Sequence, residues 1–320
     1  MSLWLQASTG LRLAGTGAGR QSPYERVAAK EFGHLTLDEI ATTAELEKER
    51  AELRSTEQPG AAEPAWAEAD RPVNRHGWPS RLRSYFLLAP LIWAYTLILG
   101  TLSLLCSLFD RDGHVQHDLA RFWSWLIMKT ILSPVTVKGM SDLKINDARP
   151  RVYAVTHASA LDIPILYVYL PFQFRIVFKS ELLAYPFIGW HLKRSGQVCI
   201  NQQNPAASIG AVKSALRSLR SGMPLVIFPE GGRTRDGKIQ PFLPGAFFLA
   251  IKAQADIVPI TLVDTFDLLP MNTYHIKCQP LEMRVGEIIP TAGLSVRDTE
   301  EVSEKVKAAI EALHAAPRSA

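Results

Sequence analysis

The stretch from Ser84 to Phe109 constrains this chain more than any other feature, because its 26 residues include no Asp, Glu, Lys, Arg or His. A helix of that length reaches about 39 Å, which exceeds the roughly 30 Å hydrocarbon core of a bilayer. A buried helix of a soluble protein is the less favoured alternative. Arg75, Arg81 and Arg83 precede the stretch, and this charge bias places its N-terminal side in the cytoplasm. The stretch therefore predicts a membrane-embedded helix.

The following segment, residues 117–132, alternates charged side chains with large apolar ones and contains two tryptophans. This pattern is typical of an amphipathic helix that lies at a membrane interface. Pro90 and Gly100 could also bend the first helix. The sequence thus predicts a membrane-embedded helix pair over residues 81–133. A true crossing of the bilayer and a hairpin that enters one leaflet and returns both fit it.

Residues 1–80 are predicted to form a poorly ordered arm, because Gly, Ala and Ser dominate its start and an Ala/Glu/Pro linker runs from Pro59 to Pro72. Thr36 and Glu39 form a capping box that predicts one helix, ending near Leu53. The arm lacks the basic start and short apolar run of a signal peptide.

Charge is distributed unevenly along the chain. Residues 1–70 carry 7 Lys/Arg and 12 Asp/Glu, so the totals of 35 and 31 leave 28 and 19 for the remainder. A basic body beside a membrane segment suits an anionic leaflet or a polyanionic substrate. Nucleic acid is not an expected partner, because the sequence has no Lys/Arg block and no nucleic-acid motif. The three cysteines form no CxxC pair, which argues against a zinc site.

Beyond Pro134 short runs rich in β-branched residues alternate with helical patterns, which predicts an α/β domain over residues 134–320. Its sheet is expected to be mostly parallel or mixed and to be flanked by helices. The predicted strands are Arg151–Thr156, Phe174–Phe178, Val198–Ile200, Pro224–Phe228, Ile257–Val263 and His275–Cys278. The predicted helices run from Pro205, capped by Asn204, to Gly222, from Ala246 to Gln254, and from Thr299 to Leu313.

Two of these strands end in residues that can carry chemistry. His157 follows the strand that ends at Thr156, and Asp162 stands five residues further on. A carboxylate at that distance can accept a hydrogen bond from one imidazole nitrogen and raise the basicity of the other. The histidine would then lie where open α/β sheets bind their ligands. The spacing alone is weak evidence, since a structural histidine would give the same pattern.

The strand that ends at Phe228 leads into Pro229, Glu230, Gly231, Gly232, Arg233, Thr234 and Arg235. Glycines let a ligand approach the backbone, and arginine can bind a phosphate through two hydrogen bonds. A solvated turn with surface arginines is the alternative. Together, the two strand ends provide a base and an anion-binding loop. Ser159 does not suggest a hydrolase, because it lies in no G-x-S-x-G elbow.

Four blocks in order resemble the glycerolipid acyltransferase family that includes the 1-acylglycerol-3-phosphate acyltransferases. His157 to Asp162 (HASALD) is similar to the family's H-x-x-x-x-D signature, and Phe178 to Gly189 (FKSELLAYPFIG) to its K-x-E-L block with P-x-x-G. Phe228 to Thr234 (FPEGGRT) resembles its F-P-E-G-T-R-S block, and Ile257 to Ile260 (IVPI) its V-P-hydrophobic strand. The resemblance covers roughly Leu82 to Thr291.

This resemblance implies an O-acyltransferase that moves a fatty acyl group from acyl-CoA or acyl carrier protein to the free hydroxyl of a lysophospholipid. The expected acceptor is 1-acylglycerol 3-phosphate, which would give phosphatidic acid. His157 would act as the general base and Asp162 would orient it. The expected substrate-binding residues are Lys179, Glu230, Gly231 and Arg233, with no metal and no cofactor. The expected location is a bacterial cell membrane, in contact with its lipids, with the catalytic domain on the cytoplasmic side.

Two departures from the family pattern concern the acceptor. Gly232 stands where the family usually has Thr, and the run Ile200-Asn201-Gln202-Gln203 stands where it tends to show an acidic residue followed by Arg. Two alternatives therefore stay open. One is an acyltransferase for another acceptor, such as glycerol 3-phosphate or a lyso-aminolipid. The other is a membrane lipid-binding relative without turnover.

Overall fold

Seven strands form one sheet in the computed structural model, which describes residues 78–110, 112–141, 150–201, 209–271 and 273–318. The strands are β1 Val135–Lys138, β2 Arg151–Val155, β3 Arg175–Lys179, β4 Val198–Ile200, β5 Leu225–Ile227, β6 Asp256–Val263 and β7 Leu281–Val285. Their order in the sheet is β1-β7-β6-β2-β5-β3-β4. The helix expected near Thr36 and nearly all of the predicted arm lie outside the described residues.

The sheet is mixed. The strands β6, β2, β5, β3 and β4 run parallel to one another, whereas β7 pairs with β6 in antiparallel fashion and β1 runs parallel to β7. Every residue of β2 and β6 is buried, as expected for central strands that are covered on both faces. The predicted α/β domain with a mixed sheet between helices is confirmed.

The helices that the structure describes are α1 Trp78–Cys106, α2 His114–Ile131, α3 Asp162–Tyr169, α4 Ile188–Arg194, α5 Ile209–Arg220, α6 Phe248–Ala253, α7 Thr265–Leu268 and α8 Thr299–Ala315. The predicted helix starts at Asn204 and Pro205 lie outside the described residues. The predicted ends are close to those observed: α5 stops two residues before Gly222, which adopts a φ of +85°, and α8 extends two residues beyond Leu313.

The strand order places two strand ends side by side. β2 lies between β5 and β6, and β5 enters the sheet between β2 and β3. Because β2 and β5 are parallel, with Ala154 opposite Ile227, the chain leaves both strands at the same edge of the sheet. This is the topological position at which α/β sheets bind ligands.

The helix α1 is continuous from Trp78 to Cys106, and its residues Ser84–Leu88 form a wider π-helical turn. Pro90, which has no N–H to donate to the carbonyl of Phe86, follows this turn. Within the described residues α1 is the one helix that is long and apolar enough to cross a membrane. The second predicted helix is also present as α2, whose Ile127 and Ile131 are buried in the core.

Polar contacts bind α1 to the α/β domain at both of its ends. Near the start, Ser84 Oγ donates to the Ile276 carbonyl at 3.3 Å and accepts from the Ile276 N–H at 3.2 Å. Near the end, Ser103 Oγ and His191 Nδ1 are 2.7 Å apart. Burial lowers the pKa of His191 to about 4, so this imidazole is neutral at pH 7.

One predicted strand, His275–Cys278, is wrong. The backbone of Ile276 bonds to Ser84 of α1, and the Lys277 N–H donates to the Leu268 carbonyl at 2.8 Å, so this segment is not part of the sheet. The strand lies just after it, as β7. That strand was missed because it contains Glu282 and Arg284, whose charges are paired within the fold at 2.7 Å.

Candidate active site

The imidazole of His157 is held by a buried carboxylate. His157 Nδ1 lies 2.8 Å from Asp162 Oδ2. The same oxygen accepts the backbone N–H groups of Ala158 and Ser159, each at 2.8 Å, and Asp162 is fully buried. Three donors on one oxygen fix the carboxylate in place. Because Nδ1 then carries the proton, Nε2 presents its lone pair and can accept one.

Sequence order explains this arrangement. His157 follows β2, the chain turns at Ser159, and Asp162 begins α3, so the carboxylate comes back against the ring that precedes it. Ser159 is buried and makes the turn: its hydroxyl donates to the Leu269 carbonyl at 3.0 Å and accepts the Leu161 N–H at 3.3 Å. A hydroxyl committed in this way serves the fold and is not a nucleophile.

One face of the His157 imidazole ring is covered by Phe228. The two rings are stacked with centroids 4.1 Å apart and planes 22° from parallel. Phe228 is the residue after β5, so the neighbouring strand supplies this contact. The His157 side chain keeps 15 % of its surface exposed. The ring is therefore partly accessible to solvent and lies beside the loop after β5.

Glu230 joins the two strand ends through backbone hydrogen bonds. Its Oε1 accepts the His157 N–H at 2.7 Å, and its Oε2 accepts the Gln240 N–H at 2.8 Å. Burial raises the pKa of Glu230 to about 6, against the opposing effect of these two N–H groups. The carboxylate thus bonds to the chain that carries the histidine, and its two oxygens are both engaged.

The loop after β5 is also bonded to His157 from the other side. The Thr234 N–H donates to the His157 carbonyl at 3.0 Å. Between the two bonds the loop turns at Gly231, whose φ of +68° is the left-handed conformation that favours glycine. The predicted base and the predicted anion-binding loop are therefore adjacent.

Two cationic side chains, one beside this loop and one in it, have no polar partner among the described residues. Lys179, the last residue of β3, is half-buried, and its Nζ would lie 3.7 Å from a Cβ added at Gly232. Arg233 is half-buried as well. Within the described ranges neither side chain makes a hydrogen bond or an ion pair. Their positive charge is available to a ligand.

The run Ile200-Asn201-Gln202-Gln203 begins beside Lys179, because Ile200 is opposite Lys179 in the pairing of β3 with β4. Gln202 and Gln203 lie outside the described residues.

No group of three or more His, Cys, Asp or Glu side chains in the part of the chain that the structure describes could hold a metal ion.

Gln240 belongs to the site and was missed from the sequence. Its backbone N–H bonds to Glu230, while its side-chain Nε2 donates to Thr234 Oγ1 at 3.2 Å and to Asp236 Oδ1 at 3.1 Å. These bonds close the loop between residues 230 and 240. A lone glutamine outside the four blocks carries no signal in the sequence that could have indicated this role.

Comparisons with known proteins find similarity to acyltransferases. A family model described as Acyltransferase matches residues 134–263. The chain is 30% identical over 167 residues to the chloroplastic 1-acyl-sn-glycerol-3-phosphate acyltransferase BAT2 of Brassica napus, covering 52% of this chain and 48% of that protein. It is 30% identical over 177 residues to 1-acyl-sn-glycerol-3-phosphate acyltransferase beta of Homo sapiens, covering 55% and 61%. The chain thus spans about half to three fifths of the length of these relatives.

The fold also matches a solved structure. The crystal structure of the 1-acyl-sn-glycerophosphate (LPA) acyltransferase PlsC from Thermotoga maritima superposes with a TM-score of 0.59 at 22% identity, over 75% of this chain and 100% of that one. This likeness supports the fold. Together with the family model and the relatives, it confirms the resemblance to the glycerolipid acyltransferases that the four sequence blocks indicated.

Proposed function

We propose that this chain, whose residues 134–263 match the Acyltransferase family model, transfers a fatty acyl group from acyl-CoA or acyl carrier protein to 1-acylglycerol 3-phosphate. The product would be phosphatidic acid. The observation that carries the proposal is the hydrogen-bonded pair of His157 Nδ1 and Asp162 Oδ2, 2.8 Å apart. The pair lies directly beside a glycine loop whose neighbouring cations have no partner among the described residues. The names of the relatives agree with this acceptor.

The chemistry follows from the position of the proton on His157. The acceptor hydroxyl gives its proton to Nε2 as its oxygen attacks the thioester carbonyl carbon. The tetrahedral intermediate then collapses, the C–S bond breaks, and the proton on Nε2 goes to the departing thiolate. Asp162 stabilises the imidazolium in between through the bond to Nδ1. No acyl-enzyme intermediate is needed.

Lys179 and Arg233 supply the positive charge that a phosphorylated acceptor needs. Both are half-buried, so a phosphate that binds them leaves water and gains a stronger interaction than it would at an exposed site. Backbone N–H groups of the glycine loop are the remaining donors for the oxyanion. In this scheme Glu230 is a positioning residue, since its oxygens already bond to backbone N–H groups.

We further propose that the chain sits on one face of a membrane. Large apolar side chains of the helix pair are exposed, including Phe86, Trp93, Ile98, Leu105, Phe122 and Trp125. Yet Ser80 contacts His275 of the α/β domain at 3.0 Å, and Ser107 accepts from Arg194 at 3.4 Å. These ends are separated by about 40 Å of helix. A helix held along one domain at both ends suits immersion in one leaflet, with the catalytic domain on the cytoplasmic side.

The test is a product assay of the full-length chain in lipid nanodiscs. With acyl-CoA or acyl carrier protein as donor and 1-acylglycerol 3-phosphate as acceptor, we expect phosphatidic acid and one equivalent of free thiol. Glycerol 3-phosphate and a lyso-aminolipid serve as alternative acceptors. Transfer to one of these alone would replace the proposed acceptor. Binding of lysolipid without transfer from either donor would favour a lipid-binding protein instead.

A further inference from the structure

Gly232 is a glycine that the backbone does not require. Among the glycines with a left-handed φ, the loop after β5 contributes Gly231 at +68° but not Gly232. A residue with a side chain could therefore occupy position 232 without backbone strain. A left-handed φ therefore explains the glycine at position 231 but not the glycine at position 232.

Packing does not require a glycine at this position either. Among the described residues, and apart from its two chain neighbours, a Cβ at Gly232 would meet a single atom within 4 Å, Lys179 Nζ at 3.7 Å, which is an ordinary van der Waals distance. By contrast, a Cβ at Gly139 would lie 2.1 Å from the Val285 carbonyl oxygen, and one at Gly189 would lie 2.5 Å from that of Leu183. Those glycines are required by close backbone contact. Gly232 instead leaves open space.

This space lies against a cation that has no polar partner in the part of the chain that the structure describes. The Lys179 ammonium borders it, and Arg233 follows directly in the chain; neither makes a hydrogen bond or ion pair within the described residues. The Lys179 ammonium is a compact point charge, so it can bind a phosphate in several orientations. The size of this space then limits the size of the substituent that the bound phosphate can carry.

We propose that residue 232 determines headgroup specificity, and that glycine at this position admits acceptors whose phosphate bears a further substituent. The chemical class is a lysophospholipid with a phosphodiester headgroup, accepted in addition to the phosphate monoester. A larger side chain at position 232, such as threonine, would fill the space beside Lys179 and exclude the substituent. This inference rests on the proposed acyl transfer and extends its range of acceptors.

The test compares two acceptors in the full-length chain in nanodiscs: 1-acylglycerol 3-phosphate and 1-acyl-lysophosphatidylglycerol. The wild type should acylate both. In Gly232→Thr, kcat/KM for the diester should fall about tenfold or more relative to the monoester, because steric exclusion of a small group is worth roughly 10- to 200-fold. Gly232→Ala should give an intermediate ratio. Gly210→Ala is the matched control, because no described residue beyond its chain neighbours and its own helix backbone lies within 4 Å of a Cβ there, and it should leave the ratio unchanged.

The outcomes separate this inference from the proposed function. A wild type that acylates the monoester alone, or an acceptor ratio that neither Gly232 variant changes, overturns the role of residue 232 and leaves acyl transfer intact. A wild type that acylates no lysophospholipid contradicts the proposed function and the inference together. If Gly232→Thr does not fold, as judged by its thermal unfolding, the ratio measured for Gly232→Ala decides.

Discussion

The end of β2 and the loop after β5 are adjacent, but their polar groups differ in hydrogen bonding. At the end of β2, Asp162 is fully buried, and one of its oxygens accepts three N–H donors at 2.8 Å. In and beside the loop, Lys179 and Arg233 have no partner among the described residues. The base is fixed before any substrate arrives, whereas the cations are left to be neutralised by one. The difference predicts that the first region governs kcat and the second governs KM.

The largest effect is expected from the base itself. His157→Ala removes the proton acceptor, and general-base catalysis of this kind typically contributes 10²- to 10⁴-fold, so kcat should fall by about that factor. The measurement is steady-state transfer of acyl groups to 1-acylglycerol 3-phosphate. His114→Ala is the control, because His114 is exposed and bonds to Gln173 away from the site. Near-normal turnover in His157→Ala would remove this histidine from the proposed role.

Asp162→Asn should reduce kcat next most strongly, by about 10²-fold. An amide cannot stabilise the imidazolium as a carboxylate does. With its oxygen kept in the place of Oδ2, its NH₂ group would take the place of Oδ1, which is buried and has no hydrogen-bond partner among the described residues. The measurement is kcat as a function of pH, together with the midpoint of thermal unfolding. A variant that loses thermal stability but keeps the wild-type kcat and pH profile would show that Asp162 acts on the fold alone.

Arg233→Ala should raise the apparent KM for the phosphorylated acceptor by about 10- to 100-fold with little change in kcat. A charge-assisted hydrogen bond to phosphate is worth roughly 1.5–3 kcal/mol. Arg235→Ala, two residues further along and exposed, is the matched control and should change KM less. If the two variants behave alike, the phosphate is bound by the general charge of the loop and not by Arg233.

The smallest effect concerns stability and Glu230. Because burial raises its pKa from 4.5 to about 6, the carboxyl contributes fully to stability below pH 4.5 and loses that contribution as pH rises through 6. The loss amounts to roughly 2 kcal/mol. Glu230→Gln does not titrate, so the free energy of unfolding of the wild type minus that of the variant should decrease between pH 4.5 and 7. Denaturant unfolding at both pH values measures it, and a difference that rises or stays constant contradicts this assignment.

The sequence predicted much of this site because its key contacts are local or lie at strand ends. His157 and Asp162 are five residues apart, so a strand, a turn and a helix start bring them together. The parallel alternation of strands and helices then placed Glu230 and Arg233 at the same edge. The stacking of Phe228 and the role of Gln240 were not predictable, because each depends on a contact across many residues of sequence.

Apolar patterning also misled in one place. The run His275–Cys278 has the pattern of a strand, yet its backbone is hydrogen-bonded to Ser84 of α1. The strand β7, in contrast, contains two buried charged residues that pair with each other. The local pattern reports burial and backbone preference, but a strand exists only where another strand is available to pair with it.

The sequence alone determined the α/β class, the long uncharged stretch of the first helix, and the pairing of His157 with Asp162 that makes this histidine the proposed base, since composition, periodicity and short spacings act over a few residues. Tertiary structure decided which strands are neighbours, that both ends of α1 are held by one domain, and that the space beside Lys179 is open. These properties depend on groups far apart in the chain, and packing free energy settles them once the whole domain has formed.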